Sequence, residues 1–240
     1  MDAADPQDVA EARELTLDEL DRMHRMVEDL VTLAKVNRPD FVTPRPVEVG
    51  RLLDDVLDKS RALADRQWRV DGRVEAVITL DQQRITQALL QLVSNAVKFT
   101  DVGDTIAIGS QLAGSGVDVI GGQLAGSGVK LWVRDTGAGI APEDLERIFD
   151  RFARIDTGRG VDGSGLGLAI VRGIAEAHHG TVSVQSTPGR GSVFNIWLPA
   201  SGPVDVALAD AVVEAPASDH DTAVDDTVPD VRTSWSRRPR

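Results

Sequence analysis

The chain contains no cysteine, which excludes disulfides, thiolate catalysis, zinc ribbons and iron–sulfur clusters and fits a reducing compartment. It also lacks any apolar run near the roughly 20 residues that span a bilayer. Its first residues, Met1-Asp2-Ala3-Ala4-Asp5-Pro6, are acidic where a signal peptide is basic and then apolar. A soluble, cytoplasmic chain is expected. Basic residues are in deficit, 26 Lys and Arg against 38 Asp and Glu, for a formal charge of -12. That balance disfavours nucleic acid as a partner, because phosphate contacts need clustered cations. Any anionic ligand must be held by local groups. What is present is 240 residues, 42% of them hydrophobic, enough for one core with an appendage at each end.

From about residue 9 to 37 the sequence reads as one long helix, with Leu20, Met23, Val27, Leu30 and Ala34 recurring at 3-4-3-4 spacing between charged residues. Such a seam needs a cover, so a dimer or a helix from another chain is expected to pack on it. Arg38-Pro39 ends the helix, and a linker runs to Pro46. Residues 52–64 look helical. Residues 69–80 look like a strand or a pair of strands joined near Asp71-Gly72. Asp81 is a plausible N-cap for a helix carrying Ile85, Leu89, Leu92, Val93 and Val97. Strands are expected at 105–108, 129–134, 181–186 and 193–198, and helices at 142–150 and 166–179. The pattern predicts an α+β fold, a two-layer α/β sandwich with a mixed or antiparallel sheet and helices on one face, preceded by one long helix. The domains read as the long helix at 8–38, a domain at 47–200 and a tail at 201–240. Eight acidic and no basic residues between Val204 and Asp230 predict that this tail is disordered. The run Gln111-Leu-Ala-Gly-Ser-Gly-Val117 recurs word for word at 123–129 and reads as a duplicated hairpin tip. The second copy should feed the core strand, leaving the first as extra loop.

Four blocks carry chemistry. In the first, Gln91, Asn95 and Lys98 share one helix face at i, i+4 and i+7. An amide oxygen suits magnesium, which bridges nucleotide phosphates while keeping its waters; an ordinary polar surface explains the same face as well. In the second, Asp135-Thr-Gly137-Ala-Gly139 follows a strand. Its carboxylate can accept a hydrogen bond from an exocyclic amine such as that of adenine, and its glycines permit close approach to a flat ring. A tight turn would use the same residues. The third, Ile148 to Arg154, has aromatics suited to a core and in Arg154 a cation able to reach a phosphate oxygen. In the fourth, Gly163-Ser164-Gly165-Leu166-Gly167-Leu168 opens a helix, where free amide protons and the helix dipole favour an anion. Gly158, Gly160 and Gly163 match G-x-G-x-x-G, but no strand leads into them, and no P-loop or H-R-D block exists.

In this order the blocks resemble the N, G1, F and G2 boxes of the histidine kinase catalytic domain, in the wider family of gyrase, Hsp90 and MutL. The resemblance covers residues 47–199, and residues 20–36 are similar to the second helix of the kinase dimerisation hairpin. It implies ATP and Mg2+ as ligands, with Asn95 on the metal, Lys98 at a phosphate and Asp135 on adenine. It further implies Gly137 and Gly139 lining the base pocket, Arg154 near the phosphates and Gly163 to Leu168 cradling them. Thr187 to Ser192 matches the turn before the domain's last strand.

Two departures stand out. The family's first hairpin helix carries a phosphoacceptor His followed by an acid, and nothing before Asp8 supplies it. His24 reads as a solvated helix residue, and His178 and His179 suit a helix C-terminus. Gln91 replaces the Asn usual in such kinases and the Glu of ATP-hydrolysing relatives and anti-sigma serine kinases; it has no useful basicity. The expectation is an ATP:protein-histidine phosphotransferase module, split or truncated. Its phosphoacceptor would lie on another chain or a missing N-terminal segment, with a response regulator downstream and dimerisation through helix 8–38. It would be cytoplasmic or the cytosolic part of a membrane-bound kinase. The alternatives are an anti-sigma-type serine kinase and a non-catalytic remnant.

Overall fold

Alternation along two neighbouring strands sets the core. In the computed structural model, which describes residues 6–113, 119–120, 123–124, 128–153, 163–200 and 205–206, strand β7 (Gly128–Asp135) pairs antiparallel with β9 (Gly191–Pro199). Val129, Leu131 and Val133 lie opposite Leu198, Ile196 and Phe194, and all six are buried. The intervening residues point to the other face, as a period of two requires. There Trp132 lies across Gly109 and Gly72, and Lys130 Nζ sits 5.1 Å from the Trp132 ring centre.

Around this pair the chain runs α1 (Pro6–Lys35), β1 (Arg45–Glu48), α2 (Val49–Arg61), β2 (Gln67–Val70), β3 (Ala76–Leu80), α3 (Gln82–Lys98), β4 (Thr105–Ala113), β5 (Val119–Ile120), β6 (Gln123–Leu124), β7, α4 (Gly167–Ala177), β8 (Thr181–Thr187), β9 and β10 (Asp205–Val206). The main sheet has the order β2-β4-β7-β9-β8, with β2 parallel to β4 and the other pairs antiparallel. Helices α2, α3 and α4 pack on its apolar face. The expected α+β sandwich, with a mixed sheet and helices on one face, is what the chain forms.

Helix α3 is built as its sequence dictates. Asp81 Oδ1 accepts from Arg84 N at 3.1 Å, satisfying an otherwise orphaned amide, and its other oxygen accepts from Thr43 N at 2.8 Å. Ile85, Leu89, Leu92 and Val93 are buried, each contributing roughly 1.5–3 kcal/mol over an exposed side chain.

Several boundaries differ from expectation. Helix α1 stops at Lys35 because Pro39 has no amide proton for the Lys35 carbonyl, which Arg38 N takes instead at 2.9 Å. The expected linker up to Pro46 already contains the start of β1, paired with β3. Residues 67–80 hold two strands, but not a hairpin: β2 joins the main sheet and β3 a separate one of order β1-β3-β10. Gly72, at φ +93°, turns the chain between them. The expected helix at 142–150 is a 3-10 turn at Pro142–Asp144 followed by further tight turns. A segment this short gains little from helix formation, and burial of Ile148 and Phe149 sets its path; the Phe149 and Phe194 rings meet edge to face at 6.4 Å. The first repeat copy is not all loop, since Gln111 to Ala113 continue β4 opposite Lys130, Val129 and Gly128. Half-buried Leu112 packs against the core there, giving that copy its own reason to stay in the sheet. At the start of the acidic tail, Asp205 and Val206 pair with β3; residues 207–240 lie outside the described residues.

Candidate functional site

The first and fourth blocks meet. Packing of the apolar side of α3 leaves Gln91 and Asn95 half-buried and Lys98 exposed on its other side. Across from them the turn 163–166 opens α4. A side chain at Gly167 would lie 2.8 Å from Gln91 Oε1, and one at Gly163 would lie 3.4 Å from Lys98 Nζ, so both polar groups rest against the glycine run. Gly165 has φ +69°, and a Cβ there would crowd the backbone of Phe152. Phe152 N donates to Gly165 O at 2.9 Å, which ties the third block to the fourth. Ser164 Oγ accepts from Leu166 N at 3.2 Å. Leu166 is buried and half-buried Leu168 packs against the core, so their side chains anchor α4. Arg154 lies outside the described residues.

The second block is pinned by backbone. Asp135, 5% exposed, accepts from Gly137 N at 2.9 Å and from the Ser192 backbone amide. Burial pushes its carboxyl above the ordinary range, against the pull of those two donors. A Cβ at Gly137 would run into the Phe99 carbonyl oxygen, and one at Gly139, φ +70°, into that of Thr187. These glycines are therefore demanded by the protein's own backbone, whatever ring approaches them. Ala138 N donates to Phe99 O at 3.2 Å, Gly189 N to Ala138 O at 2.7 Å and Ile140 N to Ser186 Oγ at 2.8 Å. The end of α3 and the β8–β9 turn thus clamp the loop after Asp135, so α3 adjoins the second and fourth blocks, and the third is tied to the fourth.

One residue of the site escaped sequence reasoning. Asp29 of α1 accepts from Gln91 Nε2 through Oδ1 at 3.3 Å and from Ser164 Oγ through Oδ2 at 3.1 Å. Burial raises its carboxyl, opposed by the Ser164 bond, the Lys98 charge and the Gln91 bond. A signal existed: Met26, Asp29, Leu33 and Val36 form a second 3-4-3 stripe, and Leu33 and Val36 are buried.

None of the histidines on helices or helix ends is poised to react. His24 is exposed, 3.3 Å from Glu28. His178 Nε2 accepts from Asp81 N at 3.0 Å, and its Nδ1 lies 2.8 Å from Ile174 O. Because Nε2 accepts, the proton sits on Nδ1 and donates to Ile174 O, and burial lowers the His178 pKa. His179, φ +60°, closes the helix end.

Among the described residues, no group of three or more His, Cys, Asp or Glu is placed to hold a metal, and no helix is long and apolar enough to cross a membrane. A surface depression of about 460 Å³ is lined by Glu48, Asp54, Asp55 and neighbours. It shares no residue with the four blocks, and its acidic lining suits no anion.

The sensor protein SrrB of Staphylococcus aureus is 34% identical over 201 residues, covering 81% of this chain and 32% of its own length. The sensor-like histidine kinase SenX3 of Mycobacterium tuberculosis is 34% identical over 204 residues, 82% of this chain and 47% of its own. The chain therefore spans a third to a half of these curated relatives. Among solved structures, full-length ShkA superposes with a TM-score of 0.63 at 29% identity, over 84% of this chain and 40% of that one. A family profile matches residues 80–202, the stretch holding every block, and by that match the chain belongs to the histidine kinase-, DNA gyrase B- and HSP90-like ATPase family.

Proposed function

We propose that the chain is the Mg-ATP-binding catalytic module of a two-component sensor histidine kinase, passing the γ-phosphoryl group to a histidine supplied by another chain or a segment outside these residues. The observation that supports this best is the convergence on α3 of Gln91, Asn95 and Lys98, the glycine turn at 163–167 and the clamped Asp135 loop. Asp135 would accept the adenine amine, Asn95 would offer its amide oxygen to magnesium, and Lys98 and the amides from Gly163 to Gly167 would neutralise phosphate. A site without a carboxylate cage fits magnesium, which usually takes one or two protein ligands and completes its shell with waters and phosphates. Catalysis then consists of positioning and charge neutralisation.

Membership of the ATPase family and the likeness to SenX3, named a sensor-like histidine kinase, support the activity; ShkA was solved in complex with AMPPNP. Gln91, which cannot act as a general base, disfavours hydrolysis and serine phosphorylation and suits an acceptor that is already nucleophilic, a neutral imidazole. The engaged or exposed states of His24, His178 and His179 support an acceptor from elsewhere. Leu20, Met23, Val27 and Leu30 are exposed, which supports dimerisation through α1. A response regulator would take the phosphoryl group, and the module would work in the cytoplasm, free or as the cytosolic part of a membrane-bound kinase.

Titration with a fluorescent ATP analogue tests the site. Magnesium-dependent binding weakened at least about tenfold by Asp135→Asn, the loss of one charge-assisted hydrogen bond, and reduced by Asn95→Ala is the expected result. Binding indifferent to both substitutions would sink the assignment.

A further inference from the structure

Asp29 is a half-buried acid on a helix that no block of the sequence connects with the site. Its two oxygens take the Gln91 amide and the Ser164 hydroxyl, while Lys98 adds an attractive charge. A hydroxyl at a helix-opening turn, an amide proton and an ammonium are the donors a phosphate also needs. We propose that Asp29 is an intramolecular occupant of the phosphate end of the site, so that docked α1 and nucleotide exclude each other. This rests on the reading of Gln91, Lys98 and Gly163 to Gly167 as that end.

The pose is set by more than one side chain. Val36 fits against Gly173, where a Cβ would come within 2.7 Å of Val36 Cγ2. Leu33 is buried, and Gln87 Nε2 donates to Thr32 Oγ1 at 3.4 Å. Beyond the helix end, the Arg84 guanidinium stacks 4.2 Å over the Phe41 ring. These contacts bring the Asp29 carboxylate to the glycine turn whenever α1 is down. Two anions cannot share one set of donors in a partly desolvated place. Burial, with the neighbouring Glu28 charge, raises the Asp29 carboxyl against the pull of Ser164, Lys98 and Gln91, so the charge sits there at a cost and a better neutralised anion can displace it. Arriving with its own magnesium, a nucleotide is such an anion. A neighbouring face of α1, carrying Leu20, Met23, Val27 and Leu30, is exposed and apolar, so the released helix still has a face to offer elsewhere.

The full chain and its Asp29→Ala variant should be titrated with trinitrophenyl-ATP and magnesium, each also in an Asp135→Asn background. Alanine favours helix and removes both hydrogen bonds; asparagine is the poorer choice, because it keeps an acceptor oxygen without the charge. If α1 leaves the site open about one-tenth of the time, Asp29→Ala tightens binding about tenfold. In the wild-type chain, hydrogen exchange of the α1 amides should speed up when nucleotide is added. Unchanged or weaker binding by folded Asp29→Ala overturns the proposal, as does slower α1 exchange with nucleotide, since either makes Asp29 a neutral or favourable part of the bound state. Failure of both folded chains to bind, or binding insensitive to Asp135→Asn, would instead defeat the site reading and take this inference with it.

Discussion

The two ends of the site are built from different materials. Around Asp135 the parts are backbone: amides of Gly137 and Ser192 hold the carboxylate, and the Phe99 and Thr187 carbonyls press on Gly137 and Gly139. Around Gln91 the parts are side chains on separate elements, Asp29 from α1, Gln91 from α3 and Ser164 from the turn before α4. Backbone clamps move only when the fold does, whereas side-chain contacts can be exchanged at small cost. The Asp135 end is therefore prebuilt, and the Gln91 end can be remade.

Three experiments can break or sharpen that contrast. Gly139→Ala should have the largest effect, about 3 kcal/mol or more of destabilisation in denaturant unfolding, because positive φ and a backbone carbonyl oppose the same methyl group. A loss below about 1 kcal/mol would mean that the clamp yields and the contrast is overstated.

The second concerns His178, which joins the end of α4 to the cap of α3 by the same kind of backbone tie. Burial lowers its pKa below the ordinary 6.5, so between those values the unfolded chain binds the extra proton. Its contribution to stability is whole above pH 6.5 and is lost as pH falls through that window. Asp29 and Asp135 act with the opposite sign, since their raised pKa values favour the folded chain in acid. Thermal unfolding from pH 7.5 to 5 should thus show a steeper acid loss for wild type than for His178→Gln, in which the amide oxygen still accepts from Asp81 N. Identical slopes would remove His178 from the account.

The smallest effect is expected at the Gln91 end. Among the described residues, Gly163→Ala has only the Lys98 ammonium nearby, at 3.4 Å, the tip of a long side chain that can shift. Its stability should change by less than about 1 kcal/mol. A change as large as that at Gly139 would erase the distinction between the two ends.

How much of this was legible in the sequence depended on whether one element carried the signal. The Asp81 cap, the buried face of α3 and the grouping of Gln91, Asn95 and Lys98 are local facts of spacing, and the structure has them. The separation of β2 and β3 into two sheets is not local: a period of two identifies a strand without naming its neighbour. Residues 142–150 mislead because Pro142 is a valid helix start, yet two adjacent buried residues, Ile148 and Phe149, decide the path. At Asp29 an acid among charged neighbours reads as solvated until α4 supplies the surface its stripe packs on. Likewise, the glycines after Asp135 pointed to a tight approach, but only the structure names Phe99 and Thr187 as what approaches.

Helix α1 carries its exposed seam at Leu20, Met23, Val27 and Leu30 and its docking stripe at Met26, Asp29, Leu33 and Val36. Met26, Asp29 and Leu33 each precede a seam position, Val27, Leu30 and Ala34, by one residue, so the two faces stand about 100° apart around the axis. They share a single rotational phase. Any partner that twists the seam turns Asp29 by the same angle, and a one-residue insertion between Leu20 and Met26 would hand the upper seam and the lower stripe to each other's sides. In this helix, torsion at one surface is position at the other.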